Sequence, residues 1–188
     1  MKSFGSLSSF AAVAVALAVP ALAAAQHGGG PLTDEQAIAS AMRAAPKAVA
    51  EGAKVVGFDA QGALRTLREG SNGFTCLGDN PATPGPDPMC GDANAMEWIN
   101  AWIAHQPPPP GKIGFVYMLE GGTDASNTDP YATAPAADNH WVQTGPHVMI
   151  VGGAGMLPGY PRNADPDTSK PYVMWAGTPY EHLMIPVH

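Results

Sequence analysis

Proline and glycine punctuate this chain so densely that regular structure has room only in short pieces. Twenty prolines and 22 glycines occur in 188 residues, against averages of ~5% and ~7%. Each proline removes a backbone donor and tends to end a helix, and glycine clusters mark turns. Apolar residues still make up 45% of the chain, so the segments between these breaks can build a core. The balance implies a loop-rich globular chain of short strands and few helices.

Two stretches carry helix signals. Thr33 has the place of an N-cap, with Asp34 and Glu35 in the first turn and Gln36 at the capping-box position. Ile38, Ala41, Met42 and Ala45 form the apolar stripe of a short N-terminal helix that Pro46 ends, and residues 46–52 can add another turn. Asp92 or Asn94 caps a second helix, which Pro107 to Pro110 terminate. Met96, Ile99 and Ile103 form one stripe on it, and Trp98 and Trp102 another. That width predicts a helix buried against a sheet.

The remaining apolar runs read as strands. Residues 53–58 and 63–68 flank a turn, and residues 74–77 follow a second turn at Gly70 to Gly73, which predicts a β-meander. Leu64 and Leu67 break its alternation and point to a bulge. Residues 113–119 read as a central strand. Shorter strands are expected around residues 140–142, 147–151, 171–175 and 181–187. No βαβ alternation is present, so the expected class is α+β. The predicted architecture is a single domain over residues 33–188, with a mainly antiparallel curved sheet, one buried Trp-bearing helix and a short N-terminal helix.

Residues 1–25 have the form of a signal peptide. Lys2 supplies the charge, residues 10–19 the apolar core, and A-x-A cleavage sites end at Ala23 and Ala25. Residues 26–32, with Gly28 to Gly30, read as a flexible leader. A periplasmic or secreted protein without stable membrane insertion is expected. Past the signal, eight basic residues face sixteen acidic ones, and no basic cluster exists. Nucleic acid is therefore not an expected partner. In an exported chain, Cys76 and Cys90 should form a disulfide, and closing that proline-rich loop contributes roughly 3 kcal/mol.

The pattern His-x-Met-Ile occurs twice, at His147 and at His182. Residues i and i+2 of a strand share a face, so His147 with Met149, and His182 with Met184, would each pair an imidazole with a thioether. On neighbouring strands these four form a candidate metal site, with copper the favoured ion because thioethers are soft ligands. Met156 and Met174 are further thioethers, and His140 a further imidazole. The structural alternative is methionine as core filler and histidine satisfied by a hydrogen bond. His27 would chelate Cu(II) or Ni(II) if cleavage after Ala24 placed it third. Asp124, Asn127, Asp129, Asp138 and Asn139 offer oxygen ligands for calcium, or else fold their loops through Asx turns.

For catalysis, Ser126, Asp129, His140 and His147 are candidates for nucleophile, orienter and base, and Glu181 with His182 for acid–base chemistry. No G-x-S-x-G, H-E-x-x-H or P-loop pattern occurs.

The runs Asn72-Gly73-Phe74-Thr75-Cys76, Pro88-Met89-Cys90, Ser126-Asn127-Thr128-Asp129-Pro130, Gly145-Pro146-His147 and Pro171-Tyr172-Val173-Met174-Trp175 together resemble a group of bacterial exported proteins with no assigned activity. The resemblance spans most of the chain beyond the signal. It implies export and carries over no catalytic residue.

These readings converge on an exported binding protein for a small molecule or metal ion. Its site is expected between the 121–139 loop and the His147 and His182 strands, with Ser126, Asn127, Asp129, His140, His147 and His182 as ligand-binding residues. The alternatives are a hydrolase at the same place and a structural module of the cell envelope.

Overall fold

The computed structural model describes residues 32–59, 61–80, 83 and 85–187. The signal peptide, His27 and all but the last residue of the leader lie outside the described residues. Helix α1 (Asp34–Ala41) starts at the Thr33 capping box, where side chain and backbone of Thr33 and Gln36 exchange both hydrogen bonds. One turn, α2 (Lys47–Ala50), follows Pro46. The longest helix among the described residues, α3 (Ala93–Ile103), is capped by Asp92, whose carboxylate accepts from the Ala95 amide at 2.8 Å. The same carboxylate accepts from the Phe115 amide, so one side chain ties the helix start to a strand.

Ten strands are present among the described residues: β1 (Lys54–Phe58), β2 (Leu64–Arg68), β3 (Thr75–Leu77), β4 (Met89–Gly91), β5 (Gly114–Met118), β6 (Ala125–Ser126), β7 (Trp141–Val142), β8 (His147–Val151), β9 (Tyr172–Met174) and β10 (His182–Pro186). Eight form one mostly antiparallel sheet in the order β2-β1-β3-β4-β5-β8-β10-β9, and β6 pairs with β7. A large antiparallel sheet with few helices is the expected α+β class.

The meander expected at its start is not what forms. β1 and β2 make an antiparallel hairpin with a register shift at Val55/Val56, but β3 lies on the other side of β1 and runs parallel to it. Arg68, at the end of β2, donates to the carbonyls of Ala50 and Ala53, and the Ser71 amide bonds to Gly52. These contacts draw the chain across the start of β1. Gly70 permits the crossing, because a Cβ there would stand 2.0 Å from the Lys54 nitrogen.

Cys76 and Cys90 face each other directly across β3 and β4 and are disulfide-bonded, with Cα atoms 3.9 Å apart. Denatured, unreduced protein should therefore show no free thiol. Reduction should lower stability by roughly 3 kcal/mol; a thiol assay returning two thiols would contradict the bridge.

One face of the central strands forms the largest core cluster. Val116 and Met118 of β5, Met149 and Val151 of β8, Tyr172 and Met174 of β9, and Met184 of β10 pack there with Trp98 and Ile99 of α3. Helix α3 lies close against β5 because residue 114 is glycine; a Cβ there would be 2.3 Å from the Ala95 nitrogen. Ile103, expected on the buried stripe, is 52% exposed, since the helix turns it past the edge of the contact. On the opposite face, Leu157, Val173 and Leu183 form a smaller cluster with Ile150 and Ile185 against it. The alternation of β8 and β10 thus sends both His-x-Met pairs into the main core.

Candidate functional site

A cavity of about 410 Å³ opens within that core, between the sheet face, α3 and the 121–139 loop. All four tryptophans of the chain line it (Trp98, Trp102, Trp141 and Trp175), as do five of its nine methionines: Met89, Met118, Met149, Met174 and Met184. Trp98 stacks on Trp175 with ring centroids 6.1 Å apart and planes within 9°. The His182 ring stands edge-on to both, at 5.4 and 4.8 Å.

Trp175 is held in an uncommon conformation, with φ at +54°, which costs a non-glycine residue of order 1–3 kcal/mol. Its backbone amide donates to the Asn127 carbonyl at 2.9 Å, and its indole nitrogen to the Ser126 carbonyl at 2.8 Å. Two consecutive carbonyls of the long loop therefore fix this indole against the cavity.

His147 and His182 share a local arrangement. Each Nδ1 hydrogen-bonds the carbonyl two residues earlier, Gly145 at 2.7 Å and Tyr180 at 2.9 Å. A carbonyl only accepts, so Nδ1 carries the proton and Nε2 keeps its lone pair. Neither Nε2 hydrogen-bonds any described residue. Burial depresses the affinity of both rings for a second proton; for His147 the Gly145 bond opposes this. His182 is pushed down to about 4, chiefly by burial, with the Tyr180 bond opposing and repulsion from His147 adding to it. Both imidazoles are neutral at pH 7. Gly122 makes room for the His147 ring, as a Cβ there would lie 3.2 Å from its Cε1.

Of the other polar residues singled out from the sequence, Asp124, Ser126 and Asp129 reach the cavity, whereas Asn127, Asp138, Asn139 and His140 do not line it. The Ser126 hydroxyl donates to the Asn139 carbonyl at 2.5 Å and accepts from the amides of Thr128 and Asp129. Its proton thus goes to backbone and not to an imidazole, so these bonds assemble no Ser-His pair. Asn127 pins the 152–170 loop through the carbonyls of Asn163 and Ala164. His140 faces outward to Asp165. Asp129 and Asn139 cap turns, accepting from the amides of Tyr131 and Ala136. Among the described residues, no three His, Cys, Asp or Glu side chains converge on a metal position. Glu181 binds Arg162 and the amides of Gly155 and Gly177, while its neighbour His182 enters the cavity.

Polar residues that the sequence did not single out complete the lining. Asn80, Thr83 and Asp87 come from the disulfide-closed loop. Asp87 accepts from the hydroxyls of Thr83 and Thr123, and burial, with Asp79 close by, pushes its carboxyl up to about 6. Inside, the Trp98 indole nitrogen and the Thr144 hydroxyl are buried with no hydrogen-bond partner among the described residues. Buried polar atoms are almost always paired, so these two and the imidazole nitrogens are the groups available to a guest.

Fold and cavity define an α+β domain whose aromatic and thioether side chains enclose a small-molecule-sized space. No protein-family model matches the chain, and neither a curated protein nor a solved structure is found to be similar to it.

Proposed function

We propose that this is an exported binding protein for a small, largely apolar molecule with a flat ring system, held in the tryptophan–methionine cavity. The observation carrying this reading is the gathering of every tryptophan and most methionines of the chain around one space of about 410 Å³. Ligand pockets of ~300–1,000 Å³ lined by apolar and aromatic side chains, with a few placed polar groups, are the common form of small-molecule sites. Stacked indoles offer flat faces to a ring. The unpaired Trp98 N–H, Thr144 hydroxyl and imidazole acceptors orient it, since each gains a partner only when the guest is bound. The disulfide suits an oxidising compartment, and no helix among the described residues is long and apolar enough to cross a membrane.

The test is a titration with N-phenyl-1-naphthylamine, a planar apolar probe, followed by tryptophan quenching and probe emission. Saturable one-to-one binding is expected. Ala125 lines the cavity and is only partly buried, so Ala125→Phe should fill the space and weaken binding at least tenfold with an unchanged circular dichroism spectrum. Equal binding by both proteins, or none by the wild type, would rule the cavity out as the site.

A further inference from the structure

The sheet register adds two methionines to the sequence repeat and changes its geometry. Met149 faces Met184 directly across β8 and β10. Antiparallel pairing then sends the histidines to opposite ends of this pair: His147 falls opposite Pro186, and His182 lies four residues away from that level. Four residues of strand span roughly 13 Å, far more than two metal–nitrogen bonds of ~2 Å can bridge without both rings folding inward. Each ring is anchored separately through its Nδ1, His147 to the Gly145 carbonyl and His182 to the Tyr180 carbonyl.

Each histidine gains a thioether from its other neighbour. Met118 of β5 is the direct partner of His147, and Met174 of β9 the direct partner of His182. Directly opposed residues have Cβ atoms ~4.5–5.5 Å apart on the same face. The outcome is two sets of the same composition: His147 with Met118 across and Met149 at i+2, and His182 with Met174 across and Met184 at i+2. All six side chains line the cavity.

We propose that these two sets bind copper(I), one ion each, through one imidazole nitrogen and two thioether sulfurs. The ligand types select this ion class. Thioethers are soft and neutral and suit Cu(I), and imidazole suits it equally. Harder divalent ions prefer charged oxygen or richer nitrogen sets, which no cluster among the described residues supplies. The nitrogens are prepared for ligation: a backbone carbonyl fixes each Nδ1–H, the arrangement that commonly orients a metal-bound histidine, and each Nε2 has no other partner among the described residues. At the His182 set, the Trp98 and Trp175 rings add π faces that favour a desolvated monovalent cation. The inference uses the same cavity as the organic-ligand reading but does not depend on it, because the ion needs only the floor of that space.

The experiment is a Cu(I) titration of the purified, disulfide-intact protein against a chromophoric Cu(I) chelator under anaerobic conditions. Wild type should withdraw two equivalents. Met118→Leu and Met174→Leu keep volume and polarity close to the original, and each should withdraw one. Leu in place of both should leave less than half an equivalent, with an unchanged circular dichroism spectrum. Absorption-edge spectroscopy of the two-ion form should show one nitrogen and two sulfurs per copper. Withdrawal of no copper, an unchanged count in both single variants, or loss of both ions in either single variant would overturn the two-site proposal. Because probe binding is read separately, copper failure with retained probe binding would leave the organic-ligand reading intact, and the reverse result would leave the copper reading intact.

Discussion

Replacing Trp98 by alanine should destabilise the protein by about 3–5 kcal/mol, the range for deleting a large buried aromatic side chain. Trp98 is only 4% exposed. It contacts Trp102, Trp175, Tyr180 and His182, with ring centroids from 5.4 to 6.4 Å away. Its loss joins a new void to an existing cavity, so collapse of the surroundings cannot easily recover the lost contacts. The urea midpoint should fall with little change in slope. Trp102→Ala should cost less, because Trp102 is only partly buried, though its indole donates to the Pro130 carbonyl. Trp98→Phe should recover most of the stability yet weaken probe binding, because it removes part of the flat indole surface lining the cavity. A midpoint unchanged in Trp98→Ala would mean that the helix does not pack on the sheet as described.

Glu181→Gln should cost on the order of 3 kcal/mol at pH 7, and the cost should vanish in acid. The Glu181 carboxylate is 2% exposed and accepts from Arg162 at 2.7 Å, Gly177 at 2.9 Å and Gly155 at 3.2 Å. Arg162, first among these, holds the carboxyl well below its ordinary 4.5, at about 2, with the two amides assisting and burial opposing. A folded-state value below the unfolded one means the native state favours the ionised form. The stabilisation is therefore complete above pH 4.5 and is lost as pH falls toward 2. Two to three pH units correspond to about 3 kcal/mol, an upper value because Arg162 is partly exposed and screened by solvent. Denaturation of wild type and variant from pH 7 to pH 2 should show converging curves. A constant gap across that range would assign the effect to packing and remove charge from the explanation.

Glu181 also illustrates where reading along the chain stops. Its neighbour His182 suggested an acid–base pair, but adjacent residues in extended chain point to opposite sides. The partner of Glu181 is Arg162, nineteen residues earlier in a loop, and nothing in local spacing announces it. Ser126 is similar. Its placement in the long polar loop was legible, but its hydroxyl serves the turn, because the amides of Thr128 and Asp129 need an acceptor there. Asn127 and His140 went to loop tethering for the same reason: irregular backbone has to find its hydrogen bonds in side chains.

Features set by near neighbours were readable from the sequence alone. The Thr33–Gln36 capping box, the stop of α3 before the prolines, the strand character of both His-x-Met segments and the sharing of a face by residues i and i+2 all depend on backbone periods of two and 3.6 residues. Their determinants lie within a few positions of one another. The tertiary structure alone decided that β3 runs parallel to β1, that Met118 and Met174 complete the two histidine sets, and that all four tryptophans surround one cavity. Those outcomes rest on strand order and register, which are chosen by packing between segments dozens of residues apart. A shift of one residue in β8 against β5 would leave every local pattern intact and send His147 to the opposite face.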